Sequence, residues 1–243
     1  MKPILFSGPM VQAIMRGGKT QTRRIVKPQP YEEVTRLIGP KMYEPVAYDR
    51  HGEMVPGAEI FGAYCEFGEY GVKSPDQVGN TLWVRETWRQ ARPADSISDN
   101  IVYRADKAQS LGMDEYSDRH RWKPSIHMPR KYARLFLTVT GVRVERLQDI
   151  SEADAISEGA FFTDYGRNCF HNGRLTNVGN CPAPIETHPL RPGWSMVPTT
   201  RTGQCIGSAK FAFANYWESL NAKRAPWSSN PWVWVYEFKR QQR

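Results

Sequence analysis

The clearest candidate for chemistry in this sequence is a basic, hydroxyl-rich run near the N-terminus, Gly18-Lys19-Thr20-Gln21-Thr22-Arg23-Arg24. In an extended segment, Lys19 and Arg23 point to one side and Thr22 and Arg24 to the other, although a turn just before Lys19 can reorient its side chain. Burial of a lysine lowers its pKa, which would make Lys19 a possible general base for a nearby hydroxyl. The residue types alone favour a simpler interpretation, either a basic loop in which Arg23 and Arg24 bind phosphates of a nucleic acid or substrate, or an exposed turn.

A second group of candidate contacts lies between residues 83 and 88. Trp83 and Trp88 could stack on a base, Arg85 could contact a phosphate or a carbonyl, and Glu86 could accept a hydrogen bond from an exocyclic amine. The alternative is core aromatic packing with an Arg–Glu ion pair at a strand end. That alternative is favoured for Trp83, whereas the two interpretations are balanced for Arg85 and Glu86.

The charge distribution favours a polyanionic partner. The chain has 33 Lys and Arg against 25 Asp and Glu, a formal net charge of +8, and its first 30 residues contain no acid. A second basic block, residues 119–134, contains Arg130 close to His127, and both are candidate phosphate or ribose contacts, although a structural role is favoured for His127. Two such blocks could converge on nucleic acid. The alternative is two solvated faces that never meet.

Two groups of residues could in principle bind a metal ion. Cys169, His171, Cys181 and Cys205, with His188 nearby, could form a zinc site, but their spacing matches no common zinc finger and free cysteines are favoured. Acids at 149, 152 and 154 begin a helix, where the helix dipole favours them. We therefore predict no metal and no cofactor.

The rest of the sequence predicts an α+β protein of one domain, residues 1–243. A short helix begins at Pro9 and ends before Gly17, and short helices begin at Ser151, with a capping-box-like spacing to Asp154, and at Phe211. Strands cover 81–85, after a Gly79-Asn80 turn, and 133–147, which is one strand or two linked by Gly141. A further strand at 232–238 is apolar on both faces and is therefore predicted to be central. Segments at about 31–75, 91–124 and 160–207 lack clean periodicity and are predicted insertions. This order suggests a small mixed β-barrel with helices at its ends. Mean hydropathy of −0.60, no long apolar run and no secretory signal predict a cytoplasmic protein without a membrane span.

Several blocks of the sequence resemble the ASCH superfamily, whose fold is a PUA-like β-barrel, and in particular a group carried by bacteriophages and prophages. The likeness begins with Pro3-Ile4-Leu5-Phe6-Ser7 and the run Lys19–Arg24. It continues in four further blocks that together reach almost the end of the chain: 82–88, 125–130, 142–147 and 230–235. The predicted insertions lie outside the minimal ASCH domain.

The resemblance implies RNA or a modified nucleoside as ligand. A small bacterial member of the superfamily is an amidohydrolase that removes the acetyl group from N4-acetylcytidine. It uses a Lys, a Thr three residues later and a Glu in a short helix after the long strand. Other members are ribonucleases or RNA binders. The motif match places these roles on Lys19, Thr22 and Glu158, with Glu152 on the same helix as an alternative acid. Arg24 or Arg85 would stabilise the negative charge that develops on the substrate oxygen.

Three functions remain open from the sequence. The first is an amidohydrolase acting on an N-acylated cytosine in RNA or a nucleoside. The second is a non-catalytic module that reads RNA or a modified base, and the third is a ribonuclease in which Lys19 and Glu158 assist attack by a ribose 2′-hydroxyl. Fold membership does not decide among them.

Overall fold

A five-stranded mixed sheet forms the centre of the molecule. The computed structural model describes residues 1–66, 70–90, 101–107, 122–163, 168–171, 173–174, 176–177, 181–184, 187–188, 193–197 and 206–241. From one edge to the other, the strands of the sheet are β1 (Lys2–Leu5), β8 (Thr81–Arg85), β11 (Phe136–Arg146), β16 (Trp232–Arg240) and β2 (Gln21–Ile25). Strands β1 and β8 are parallel, and the other neighbours are antiparallel.

Four α-helices accompany this sheet in the described residues: α1 (Gly8–Met15), α2 (Arg104–Lys107), α3 (Glu152–Ser157) and α4 (Ala209–Asn221). Their ends follow local chemistry. Pro9 occupies the first turn of α1, where its missing N–H costs nothing. Ser151 accepts a hydrogen bond from the Asp154 amide in a capping box, and Ser208 caps α4 in a similar way.

The remaining strands form small sheets at the periphery. Strands β3 (Ile38–Tyr43), β6 (Ile60–Tyr64) and β7 (Gly71–Lys73) make one antiparallel sheet. The other four are two-stranded: β4 (Val46–Tyr48) with β5 (Met54–Pro56), β9 (Trp88–Gln90) with β10 (Ile101–Tyr103), β12 (Phe161–Thr163) with β15 (Gly193–Ser195), and β13 (Asn168–Cys169) with β14 (Thr176–Asn177). The predicted insertions therefore contain short strands in their described parts.

Strand β16 explains how the two cores are arranged. Trp234 and Tyr236 on one face belong to a core shared with α1, β8 and β11. Val233 and Val235 on the other face belong to a second core, which includes residues of α3 and α4. Because both faces are buried, the strand is apolar throughout its first five residues, as predicted for an interior strand.

The long strand β11 contains the irregularity that its sequence predicts. Its pairing with β16 shifts register between Val139 and Gly141. The shift reverses the alternation of side chains, so that Leu137 and Val139 before it and Val142 and Val144 after it face the same core.

The α+β class is confirmed, and the barrel is not: the five-stranded sheet of the described residues stays open at β1 and β2. Within those residues, no helix is long and apolar enough to cross a membrane. Most of the predicted insertion at 91–124 and parts of that at 160–207 lie outside the described residues.

Candidate active site

Lys19 is buried where the chain leaves α1 and turns into β2. The amides of Gly18 and Lys19 both donate hydrogen bonds to the Ala13 carbonyl, at 2.9 and 3.1 Å. The next amide, that of Thr20, donates to the Ser157 carbonyl at 2.9 Å and so ties the turn to the end of α3. This turn directs the Lys19 side chain inward, where none of it is exposed.

Gly159 allows α3 to end this close to the lysine. Its φ is +108°, a conformation that residues with a Cβ rarely adopt. A Cβ at this position would lie 3.2 Å from the Ala13 Cβ and 3.4 Å from the Lys19 Cβ. The glycine therefore lets the preceding residue, Glu158, approach the lysine directly.

Lys19 and Glu158 form a buried ion pair. The Lys19 Nζ lies 2.6 Å from Glu158 Oε2, 2.8 Å from the Glu158 carbonyl oxygen and 2.7 Å from the Gln21 carbonyl oxygen. The Glu158 side chain is only 2% exposed. Three acceptors around one nitrogen match the three hydrogens of an ammonium group.

The same geometry also suits a proton on the carboxyl group. In that state the Glu158 hydroxyl donates to the amine, and the two remaining N–H bonds of Lys19 point to the backbone carbonyls. Burial lowers the pKa of Lys19, while the charge and the hydrogen bond of Glu158 oppose this effect. The pair can therefore exchange a proton internally without losing a hydrogen bond.

Arg23 adds a second buried cation on the other side of the carboxylate. Its Nη1 donates to Glu158 Oε1 at 3.1 Å, and its Nη2 donates to Glu145 Oε1 at 2.5 Å. Asp154 Oδ2 lies 3.4 Å from the same Nη2. The Arg23 side chain is fully buried, and its guanidinium positions acids of the site. Arg23 also lines the same cavity as Glu158.

Thr22 presents a free hydroxyl next to this pair. The residue lies on β2 opposite Tyr236 and is only 2% exposed. Among the described residues, its hydroxyl makes no hydrogen bond. Thr22 and Glu158 both line one cavity, whereas Lys19 lies behind it. This arrangement leaves the hydroxyl available to a ligand.

The cavity has a volume of about 610 Å³, within the usual range for small-molecule sites. Residues of β2 form part of its wall, and the α4 residues Phe213, Tyr216 and Trp217 form an aromatic part. Tyr216 is held by a 2.6 Å hydrogen bond between its hydroxyl and that of Ser7. The cavity thus combines an aromatic wall with a wall that carries hydroxyl and charged groups.

Arg24 supplies positive charge at the cavity. Its guanidinium lies over the Phe6 ring at 5.2 Å and donates to the Leu5 carbonyl at 2.7 Å. Burial lowers its pKa, and Glu158 opposes this effect. Lys27 lines the same cavity. An anionic or electron-rich ligand group would therefore meet two cationic side chains.

The second sequence-predicted group lies outside this cavity. The Glu86 carboxylate accepts two hydrogen bonds from Arg134, both 2.8 Å long. Trp83 is buried with the Arg85 guanidinium 4.7 Å from its ring centre, and Trp88 packs on Tyr132 with ring centres 4.9 Å apart. Glu86 therefore forms an ion pair with an arginine, as the alternative interpretation expects, but the arginine is Arg134 and not Arg85.

His127 and Arg130 are exposed on the segment that follows. Neither residue lines the cavity, although the neighbouring Ser125 does, as does Thr87. The structure therefore brings together Lys19, Thr22 and Glu158, and it does not bring His127 or Arg130 to them.

The acids at the start of α3 have structural partners. Glu152 accepts hydrogen bonds from the amides of Ala209 and Lys210 at the start of α4. Asp154 pairs with Arg143 at 2.7 Å. This supports the choice of Glu158 over Glu152 as the acid at the cavity, because Glu152 is committed to the α4 terminus.

A smaller cavity of about 300 Å³ lies on another side of α4. Tyr216 is its one ionisable lining residue among the described residues, so it offers no comparable chemistry.

Sequence reasoning missed the aromatic wall. Phe213, Tyr216 and Trp217 recur at three- and four-residue spacing, which places them on one face of a helix. That periodicity was visible, but it also describes ordinary core packing. No protein-family model, curated protein or solved structure matches this chain.

Proposed function

We propose that this chain is an ASCH-type protein with a PUA-like fold, and that its cavity hydrolyses the acyl group of an N4-acylated cytosine. One observation carries the proposal. The free Thr22 hydroxyl and the Glu158 carboxylate line the same 610 Å³ cavity, with buried Lys19 2.6 Å behind that carboxylate. A nucleophile, a proton carrier and a cationic side chain are the parts that amide hydrolysis requires.

In the proposed reaction, a water molecule held by the Thr22 hydroxyl, or that hydroxyl itself, attacks the acyl carbon. If the hydroxyl attacks, the N4 amine leaves, the acyl group remains on Thr22 as an ester, and a water molecule then hydrolyses this ester. In this reaction the pair begins with a neutral Lys19 and an ionised Glu158 and takes one proton. That proton can then sit on either partner with all three hydrogen bonds made. Glu158 lines the cavity and returns the proton to the leaving N4 nitrogen. Arg24 stabilises the negative charge on the carbonyl oxygen, and the products are a carboxylate and cytidine.

The aromatic wall would recognise the base. Phe213, Tyr216 and Trp217 offer ring faces on which a cytosine can stack, an interaction worth about 1–3 kcal/mol per base. Lys27 would lie near the sugar or a flanking phosphate. The net charge of +8 suits a nucleotide within RNA as well as a free nucleoside.

A specific observation favours a second function, a non-catalytic reader of RNA or a modified base. Every hydrogen of a protonated Lys19 already has an acceptor. Such a pair could serve only to shape the cavity. In that case Thr22 would donate a hydrogen bond to the ligand without attacking it.

Thr22→Val separates the two functions. Valine has nearly the same shape, and the lost hydroxyl has no hydrogen bond among the described residues, so the fold should be retained. The matched control is Thr20→Val, because Thr20 lies two residues earlier in the sequence but is exposed. The assay follows N4-acetylcytidine and an acetylated RNA by mass spectrometry, with ligand binding measured in parallel.

We expect Thr22→Val to lose acetate release by about 100-fold or more, as is typical for removal of a group that acts in the transition state, while Thr20→Val matches the wild type. Binding without acetate release by the wild type would support the reader. Shortened RNA would support a ribonuclease. Equal turnover by Thr22→Val and the wild type would exclude the proposed role of the hydroxyl.

A further inference from the structure

Four side chains with metal-binding groups converge away from the cavity, in the segment between β12 and β15. They are Cys169, His171, Cys181 and His188, and their ligand atoms all lie within 4.8 Å of one another. Cys169 ends β13, and the other three residues lie 2, 12 and 19 residues after Cys169. We propose that these four residues form a structural zinc site.

His188 carries the strongest sign of a ligand. The residue is 2% exposed, and its Nδ1 lies 3.1 Å from the Pro184 carbonyl oxygen. A carbonyl oxygen can only accept, so Nδ1 bears the hydrogen and Nε2 of the neutral ring keeps a lone pair. Nε2 is buried and has no hydrogen-bond partner among the described residues. A histidine that donates from one nitrogen to a carbonyl and turns the other to a metal is the usual arrangement in zinc sites.

The other three residues complete the donor set. Cys181 Sγ lies 3.9 Å from His171 Nδ1, and the rings of His171 and His188 are nearly perpendicular, with centres 4.6 Å apart. Cys169 and Cys181 are free thiols. Two thiols and two imidazoles therefore face one small volume, with no disulfide between them.

The donor set and its size select zinc. Two thiolates and two neutral imidazoles are a common set for tetrahedral zinc, and the two thiolate charges balance the ion. Bonds of about 2.3 Å to sulfur and about 2.0–2.1 Å to nitrogen place tetrahedral ligand atoms ~3.3–3.8 Å apart. The observed 3.9 Å contact is close to this, and the widest separations need to contract by about 1 Å. Four protein ligands leave no open position, so the role is structural.

The position of the cluster explains what zinc would stabilise. The segment leaves the core after Glu158 and Ala160, and it returns through β15, where Trp194 and Met196 pack in the core shared with α4. Between these points the described strands are two or three residues long. A bound ion would fasten this segment between the end of α3, where Glu158 lines the cavity, and α4, which also contributes lining residues.

The test uses the full-length chain. Purified protein should contain about one zinc ion per chain by elemental analysis. Metal-free protein titrated with Co²⁺ should develop the visible absorption bands of a tetrahedral site and a sulfur-to-cobalt charge-transfer band, both saturating at one equivalent. Neither readout depends on enzyme activity, so the zinc site can fail while the proposed hydrolase stands, and the reverse.

Variants then assign the ligands. Cys181→Ser and His188→Gln should weaken zinc binding by about tenfold or more. His188→Cys keeps a fourth ligand and should retain the metal. Cys65→Ala is the matched control, because Cys65 is a free thiol buried in the other core. Cys205 lies outside the described residues, and Cys205→Ser should retain the metal if the four residues are the complete set. Absence of both zinc and the cobalt bands in the wild type would overturn the proposal, as would loss of zinc from Cys205→Ser but not from Cys181→Ser.

Discussion

Removal of the acid from the buried pair should destabilise the protein in a pH-dependent way. In Glu158→Gln, Lys19 keeps two backbone carbonyl acceptors, at 2.7 and 2.8 Å, but loses its carboxylate at 2.6 Å. Loss of one partner from a buried ion pair costs about 3–5 kcal/mol. In Lys19→Met the carboxylate still has Arg23 at 3.1 Å. We therefore expect a cost near the upper end of this range for Glu158→Gln and near the lower end for Lys19→Met.

The two variants should differ more clearly as pH rises. Burial lowers the pKa of Lys19 from its ordinary value of 10.5, and Glu158 opposes this in the wild type. Without that carboxylate, the pKa of Lys19 falls further in the folded state. At pH values between the lowered pKa of the folded state and the ordinary pKa of the unfolded state, the unfolded chain therefore binds more protons than the folded chain. The free energy of unfolding of Glu158→Gln should then rise with pH over this range. That of Lys19→Met should not, because this variant has no lysine at position 19 to lose a proton.

Urea unfolding at pH 7 and pH 9.5 measures both effects. The deficit of Glu158→Gln relative to the wild type should shrink between these pH values, and that of Lys19→Met should stay constant. The double variant Lys19→Met/Glu158→Gln, which leaves neither charge of the pair, should be more stable than the sum of the single losses predicts. Additive losses, or equal deficits of the two single variants at both pH values, would refute the reasoning about the pair.

Two further perturbations probe the support of the site. Burial favours a raised pKa of Asp154, but the Gln21 hydrogen bond and the charges of Arg143 and Arg23 lower it from 3.8 to about 2. Its ionised form therefore stabilises the fold above pH 3.8 and loses this effect as the pH falls through 2. Asp154→Asn should lose about 1–2 kcal/mol at pH 7, after allowance for solvent screening, and match the wild type near pH 2 in urea unfolding. A loss that persists at pH 2 would contradict this. Gly159→Ala forces a Cβ into a φ of +108° and should cost about 1–3 kcal/mol, with a lower melting temperature and slower turnover. An unchanged melting temperature together with unchanged turnover would show that the close approach of Gly159 to Lys19 is unimportant.

Local signals predicted much of the fold. The capping box at Ser151 and the Gly79-Asn80 turn before β8 act within a few residues, so the sequence displays them directly. Strand β16 was recognised as interior because it is apolar on both faces. Closure of a barrel depends on how distant strands meet, and no local pattern encodes it.

The candidate site was predicted only in part, for the same reason. Lys19 and Glu158 are 139 residues apart, and they were paired through a resemblance rather than through spacing. Arg23 lines the cavity and stays a candidate ligand contact, but the sequence did not predict that three carboxylates, those of Glu145, Asp154 and Glu158, surround its guanidinium. Such partners become visible only when the elements pack.

The cysteine and histidine residues illustrate the limit most clearly. Their irregular spacing favoured free thiols, and the set that was considered included Cys205. The structure places the ligand atoms of His188, which the sequence analysis put only near the set, within 4.8 Å of those of Cys169, His171 and Cys181, and Cys205 lies outside the described residues. When the fold of a long connection brings metal ligands together, the ligands are not separated by a fixed number of residues in the sequence.

The most direct test of the proposed function is a mass-spectrometric time course with N4-acetylcytidine and an acetylated RNA, run with the wild type and Lys19→Ala. We predict conversion to cytidine and acetate by the wild type and none by Lys19→Ala, with the variant folded by circular dichroism. Equal conversion by both proteins, or binding of intact ligand with no conversion by the wild type, would contradict hydrolysis by the Lys19–Glu158 pair.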